Sequence, residues 1–152
     1  MDVKEKYEEL KKKYKLPSYE EVNTEFELES IEKPVFLLND IGRKINEKLD
    51  YYLAILENIL NPESSLASMY ECKVTGEGSK KEINLLYKKM MVMKRSCDVA
   101  RVNNSEKDVG EFVSAFFKEW EETKPKLLKL ISMLKEEWKK SEGKKESFSY
   151  FG

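Results

Sequence analysis

The sequence predicts an all-α protein, an antiparallel helical bundle of about four to six helices with long central helices. Gly and Pro supply only 6 and 4 of the 152 residues, which disfavours turn-dense β architectures. Charged residues make up 38% of the chain, as is typical of long solvated helices. Apolar residues recur at spacings of three and four, the period of an amphipathic helix. We expect one helical-bundle domain over residues 1–140, followed by a polar tail over residues 141–152 that ends in an aromatic segment.

Two short amphipathic helices are expected at the start of the chain. The first spans residues 3–14, with apolar positions at Val3, Tyr7, Leu10 and Tyr14. Pro17 ends it, because proline disfavours helical geometry in the residue before it. Ser18 and Glu21 form a capping-box pattern that begins a second helix over about 18–30. Residues 18–32 hold six Glu and no basic residue, so this segment carries a formal charge of −6.

The longest apolar pattern predicts a central helix that begins at Pro34 and ends at Leu60. Proline suits the first position of a helix, where its missing N–H is not needed. A stripe at spacings of three and four follows, formed by Leu38, Ile41, Ile45, Leu49, Tyr52, Leu56 and Ile59. More apolar residues flank this stripe, at Leu37, Leu53, Ile55 and Leu60. The helix should therefore contact more than one neighbour.

Further helical segments occupy the second half of the chain. A short helix is expected over about 62–73, then a mobile Gly-containing loop over 74–79. This loop lacks the preceding strand and the Gly-Lys-Ser/Thr of a phosphate-binding loop, so we interpret it as a connector. A helix over about 79–102 carries the apolar stripe Ile83, Leu86, Met90, Met93, Cys97 and Ala100. The last region contains Pro125 and forms either one helix kinked at that residue or two separate helices. Its apolar positions are Val109, Phe112, Val113, Phe116, Trp120, Leu127, Ile131, Leu134 and Trp138.

The complete absence of His excludes ordinary catalytic triads, zincin sites and Glu-x-x-His di-iron sites. We expect no catalytic residue, no metal and no cofactor, since the many Glu pairs are typical of a solvated helix surface. Cys97 lies on the apolar stripe and is interpreted as a small buried hydrophobe, with a reactive thiol or a disulfide to Cys72 as the alternatives. An enzyme working through Lys, Glu, Tyr or Cys remains an open alternative, because burial can shift the pKa of such groups.

Composition also bears on location. The N-terminal residues develop no apolar signal core, and no stretch approaches the roughly twenty apolar residues of a membrane span. We therefore expect a protein without membrane insertion, located in a reducing cytoplasm. The chain is Lys/Glu-rich, with 25 Lys against 3 Arg and 24 Glu against 5 Asp. This bias occurs in heat-adapted proteins, and an AT-rich genome produces a similar preference for Lys, so the composition leaves a thermophilic source open.

The segment 79–101 is the most basic part of the chain, with a formal charge of +5. Its basic residues are Lys80, Lys81, Lys88, Lys89, Lys94, Arg95 and Arg101. Such a face can bind nucleic acid or another polyanion, because each phosphate contact releases counterions. The scarcity of Arg disfavours base-specific reading, and the segment could instead pack beside the acidic residues 18–32.

The last ten residues combine a polar spacer with three aromatic side chains, Phe148, Tyr150 and Phe151. Disordered tails typically lack such residues. The three rings are therefore expected either to pack on the bundle or to bind a partner as a short motif.

These observations favour a non-enzymatic protein that acts through its surfaces, as an adaptor, an assembly subunit or a homo-oligomer. A protein partner or self-association is expected. The alternative is a polyanion-binding or nucleic-acid-binding protein that uses the basic helix over residues 79–101.

Overall fold

The computed structural model describes residues 1–142 and contains six α-helices and no β-strand within that range. The helices are α1 (Val3–Tyr14), α2 (Tyr19–Phe26), α3 (Leu37–Leu60), α4 (Leu66–Val74), α5 (Glu77–Asn103) and α6 (Glu106–Glu142). Two short 3-10 turns, Leu28–Ser30 and Pro34–Phe36, lie between α2 and α3. The predicted all-α helical bundle is confirmed.

The three long helices α3, α5 and α6 form the centre of the bundle. α5 runs antiparallel to α3, because Cys97 Sγ lies 3.4 Å from the Gly42 carbonyl oxygen while Lys94, earlier in α5, pairs with Asp50, later in α3. α6 turns back along α5 after a short link. The α3 and α6 helices therefore run parallel, and the rings of Tyr52 and Trp120 pack between them at 6.0 Å.

The predicted apolar stripes are the buried faces of these helices. All six stripe residues of α5 are buried, and so are all the stripe residues of α3 except the half-buried Tyr52. The α3 helix contacts each of the other five helices, which confirms its predicted central position. Burial of this shared apolar surface is the main force that holds the long helices together.

The shorter helices close the bundle at its sides. Glu25 of α2 ties three helices together, because it pairs with Lys48 of α3 at 2.7 Å and with Lys124 of α6. Farther along α6, the Tyr70 hydroxyl of α4 donates to the Glu137 carbonyl oxygen at 2.7 Å. These contacts place α2 beside the middle of α6 and α4 near the end of its described part.

Several predicted helix boundaries were wrong by a few residues, for local backbone reasons. The α2 helix ends at Phe26 because Glu27 adopts a left-handed conformation with φ 48°. Pro34 begins a 3-10 turn, and the regular α3 helix starts only at Leu37. The α4 helix starts at Leu66, where the Ser65 hydroxyl accepts a hydrogen bond from the Ser68 backbone N–H at 3.1 Å.

The predicted mobile loop over residues 74–79 is much shorter in the structure. Thr75 is buried and its hydroxyl donates to the Glu71 carbonyl oxygen at 2.7 Å. Gly76 is the N-cap of α5, and Gly78 lies in the first turn of that helix. A glycine near the start of a helix costs less than one in its interior, so the Gly-x-Gly pattern does not break the chain here.

The last region is one continuous helix rather than two. Pro125 lies inside α6 with its ring exposed, so it removes a hydrogen bond on the solvent side of the helix. Beyond it the buried positions are Leu127, Leu130 and Leu134, while Ile131 and Trp138 are half-buried. Within the described residues, α6 extends to Glu142.

Candidate interaction surface

The basic residues of α5 do not form one uniform patch. Four of the seven make ion pairs: Lys80 with Glu77 at 3.8 Å, Lys89 with Glu122 at 3.5 Å, Arg95 with Asp98 at 2.7 Å, and Lys94 with Asp50. None of these acids belongs to the segment 18–32. The acidic segment therefore supplies no ion pair to α5 within residues 1–142.

The remaining three basic residues of α5 differ in direction. Within residues 1–142, Lys81, Lys88 and Arg101 make no ion pair, and all three are exposed. Lys81, Lys88 and Arg95 are spaced by seven residues and so lie in one column along the helix. Arg101 lies on the α3 side, where its aliphatic stem packs beside Gly42. The outward-facing positive charge without an ion pair in residues 1–142 is thus that of Lys81 and Lys88, because Arg95 in the same column already pairs with Asp98.

A second apolar column lies beside this basic column and was largely missed by the sequence analysis. Leu85, Val92, Val99 and Val102 are 68%, 65%, 62% and 84% exposed. Val92 follows the buried Met90 by two residues, which places it about 200° around the helix from the core. The predicted core stripe of α5 includes none of these four residues. The missed signal was the repeat of Leu85, Val92 and Val99 at intervals of seven.

The two columns together form a regular pattern, which we call the outer stripe. It consists of Lys81, Leu85, Lys88, Val92, Arg95, Val99 and Val102. The spacings are 4, 3, 4, 3, 4 and 3, the same 3-4 pattern that marks the seam between two packed helices. The α5 helix therefore has two such patterns, one buried in the bundle and one facing outward.

Two grooves lie next to the outer stripe, and both are lined by α5 and α6. The first has a volume of about 640 Å³, and Val92, Val99 and Phe112 are among its apolar lining residues. Arg95 lines one wall of it, and Asp108 and Glu111 line the other. The stripe and the two grooves are together called the outer face.

The second groove lies nearer the start of α5 and has a volume of about 500 Å³. Leu85, Leu86, Leu130 and Met133 make its surface apolar. Its charged lining residues are Glu82, Lys89, Lys126 and Lys129. The Lys89–Glu122 ion pair crosses between α5 and α6 and separates this groove from the first.

The structure places Cys97 where its chemistry is suppressed. Its side chain is fully buried, and burial raises the pKa of its thiol to about 11 despite the nearby Arg101 and Lys94. A thiol with this pKa is almost entirely protonated at neutral pH and is a poor nucleophile. Cys72 is partly buried on α4, and both cysteines are free thiols. The disulfide alternative is therefore not realised in this structure.

Other candidate chemistry is sparse over residues 1–142. No group of three Cys, Asp or Glu side chains there could hold a metal ion. None of the described helices combines the length and the apolar character needed to cross a membrane. The aromatic residues Phe148, Tyr150 and Phe151 lie outside the described residues.

Comparison with known proteins gives no independent indication of what binds here. No protein-family model matches the chain, and neither a curated protein nor a solved structure is significantly similar to it.

Proposed function

We propose that this protein is a non-enzymatic interaction protein that binds another protein along its outer face. The single observation that carries the proposal is the outer stripe, in which four apolar side chains more than 60% exposed follow a helix-packing pattern. Isolated exposed apolar residues are common on protein surfaces, but a regular row of them is typical of a docking site.

The fold itself has little use for these apolar side chains. The α5 helix already buries a complete stripe against the bundle, from Ile83 to Ala100. Valine is a weaker helix former than lysine or glutamate, so three exposed valines slightly destabilise α5. A chain with 38% charged residues has polar alternatives that suit exposed helix positions better. A binding role accounts for the valines, whereas folding does not.

Site-specific photo-crosslinking in cells of the source organism tests the proposal. A crosslinking amino acid is placed at Val92 or Val99, and at the exposed control positions Lys12 of α1 and Glu57 of α3. We expect one and the same protein to be captured from positions 92 and 99 and not from the controls. The purified pair should then bind, and Val92→Glu should abolish binding without changing the circular dichroism of the protein. Equal capture from all four positions, or none from 92 and 99, would refute the proposal.

A second function, polyanion binding, is supported by the exposed Lys81 and Lys88, which make no ion pair within residues 1–142. Polyanion binding would depend on the basic residues of the outer stripe and not on its apolar residues. Binding of a labelled 20-nucleotide RNA or DNA should weaken steeply between 50 and 200 mM salt, in the manner of about three released counterions. It should be lost in Lys81→Ala/Lys88→Ala/Arg95→Ala and unchanged in Val92→Ser/Val99→Ser. If the valine variant instead loses binding and the variant with three alanines keeps it, the result supports docking of a protein.

A further inference from the structure

The outer face has the length and pattern of a site for one straight helix. The α5 residues that line the two grooves run from Ser79 to Asn103, which corresponds to about 36 Å of helix at about 1.5 Å per residue. The 3-4 spacing of the outer stripe keeps its residues in line over this whole length, as packing against another helix requires. An extended peptide would instead need free backbone groups to pair with, and helix α5 offers none along its interior.

The charges around the grooves are unequal at the two ends. Near the start of α5, the cations Lys81, Lys88, Lys126 and Lys129 make no ion pair within residues 1–142. Glu82 is the acidic residue that lines the groove at this end. At the other end, Arg95 on α5 faces Asp108 and Glu111 on α6. A helix bound here therefore needs acidic side chains along the edge that faces α5. Near the start of α5, it needs them on both edges.

A second copy of this chain does not meet this requirement. If two α5 helices packed antiparallel through the outer stripe and centred on Val92, each Lys88 would lie next to the Arg95 of the other copy, because the two residues lie about equally far from the centre. This pairing places like charges face to face, which disfavours it. The exposed acids of residues 20–32 cannot replace it, because the apolar residues beside them, Val22 and Phe26, are already buried in their own bundle.

An anionic membrane surface also fits less well than a helix. Helices that lie in a membrane interface insert Trp, Phe or Leu into the lipid, whereas three of the four exposed apolar residues of the outer stripe are valines. Short β-branched side chains in a 3-4 pattern suit close packing against another helix.

We infer that the occupant of the outer face is an acidic amphipathic α-helix from a different protein, seated lengthwise between α5 and α6. The inference rests on the function proposed above. The apolar stripe of the bound helix contacts Leu85, Val92, Val99 and the apolar lining of both grooves. Its acidic flank pairs with Lys81 and Lys88 and competes with Asp98 for Arg95. The end of the helix beside Lys126 and Lys129 carries acids on both flanks.

A peptide-display selection tests the chemistry of the occupant. The library presents 25-residue helical peptides with Leu at every a and d position and with Glu, Lys or Gln allowed at each flanking position. The targets are the wild type, the charge-reversed variant Lys81→Glu/Lys88→Glu/Arg95→Glu, and the control variant Lys4→Glu/Lys12→Glu/Lys33→Glu. Both variants change the net charge equally, but the control changes only exposed residues that belong neither to the outer stripe nor to the groove linings.

We expect the wild type and the control variant to enrich peptides with Glu on one flank. The charge-reversed variant should enrich peptides with Lys at the same positions. Its affinity for the peptides selected on the wild type should be at least about tenfold lower than that of the wild type. Val92→Glu should remove binding of every selected peptide, and folding is checked for each variant by circular dichroism.

Four outcomes would overturn the inference: no binder at all, no preference for Glu, binding that survives Val92→Glu, or tighter binding to vesicles of anionic lipid than to any peptide. A dimer in sedimentation velocity that Val92→Glu dissociates would instead make a second copy the occupant. Crosslinking from positions 92 and 99 does not depend on the partner's charge. Successful crosslinking together with a failed selection would therefore leave the proposed function standing and refute only the acidic helix.

Discussion

Two buried glycines, Gly42 and Gly110, test the packing between helices. Replacement by Ala should raise the free energy of unfolding at Gly42 and lower it at Gly110. A Cβ added at Gly110 of α6 would lie 2.8 Å from Tyr14 Cγ and 3.1 Å from Tyr14 Cβ. A Cβ added at Gly42 of α3 would lie 3.6 Å from Val109 Cγ1, which is an ordinary van der Waals contact. Both glycines lie inside helices, and neither has a positive φ.

The expected magnitudes follow from two competing effects. Replacing Gly by Ala within a helix stabilises it by about 1 kcal/mol, and Gly42→Ala should keep this gain. At Gly110 the crowding should cost about 1–3 kcal/mol, since the atoms it meets lie at the base of the Tyr14 side chain and cannot swing away. The Tyr14 hydroxyl is also held by Glu106 at 2.8 Å. Gly110→Ala should therefore destabilise the protein by about 0–2 kcal/mol.

Urea unfolding followed by tryptophan fluorescence measures both effects, and the melting temperature should move by about 2–4 °C for each kcal/mol. The control is Gly110→Ala in a Tyr14→Ala background, where the 2.8 Å contact with Cγ is removed and only the 3.1 Å contact with Cβ remains, so the substitution should be clearly less destabilising there. If Gly110→Ala stabilises the wild type, or has the same effect with and without Tyr14, the close contact between α1 and α6 is wrong.

Three further predictions address charge, thiol chemistry and the outer face. Burial raises the pKa of Glu25, but hydrogen bonds from Lys124 and Lys48 outweigh it and leave the pKa below its ordinary value. The Glu25 carboxylate should therefore stabilise the protein above about pH 4.3, and this contribution should vanish as the pH falls through the folded pKa. In urea unfolding, wild type should be more stable than Glu25→Gln at neutral pH and equally stable in acid. A stability difference that does not depend on pH would contradict this prediction. At neutral pH a thiol reagent should modify Cys72 faster than Cys97, and both should react once the protein is unfolded in urea without reductant. A complete absence of reactive thiol would instead indicate a disulfide between them. Val99→Lys should change the free energy of unfolding by less than about 0.5 kcal/mol. The control Met90→Ala, in the core, should lower it by about 2–5 kcal/mol. A large loss of stability at Val99 would mean that the outer stripe serves folding.

The helices and their core faces were predictable because each depends on local spacing. Residues at intervals of three and four must share a face of any α-helix, so the buried faces of α3 and α5 follow once those segments are helical. Boundaries were less predictable. The end of α2 at Phe26 depends on the left-handed conformation of Glu27, for which neither glycine nor proline provides a signal.

The behaviour of Pro125 also required the tertiary structure. Proline disfavours a continuous helix, but the apolar residues on both sides of it belong to the same hydrophobic core. Burial of Trp120 and Leu127 on one continuous face outweighs the loss of a single hydrogen bond at an exposed position. A sequence pattern cannot weigh these two effects, because it does not show what lies opposite each residue.

The candidate site illustrates the same limit. The seven basic residues of α5 were evident in the sequence, but their partners lie up to 48 residues away in the chain, as in the contact between Lys94 and Asn46. Only the fold shows that Lys94 and Arg101 face α3, while Lys81, Lys88 and Arg95 face outward.

The sequence by itself determined the helical class, the central position of α3 and the core stripes, because these follow from composition and from the period of the helix. The tertiary structure decided which of two stripes on α5 is buried and which remains exposed. The reason is physical: one helix can carry two apolar columns, and the position of its neighbours decides which one leaves water. In this protein α3 and α6 cover the column of Met90 and Cys97, and the column of Leu85, Val92 and Val99 is left exposed on the outer face.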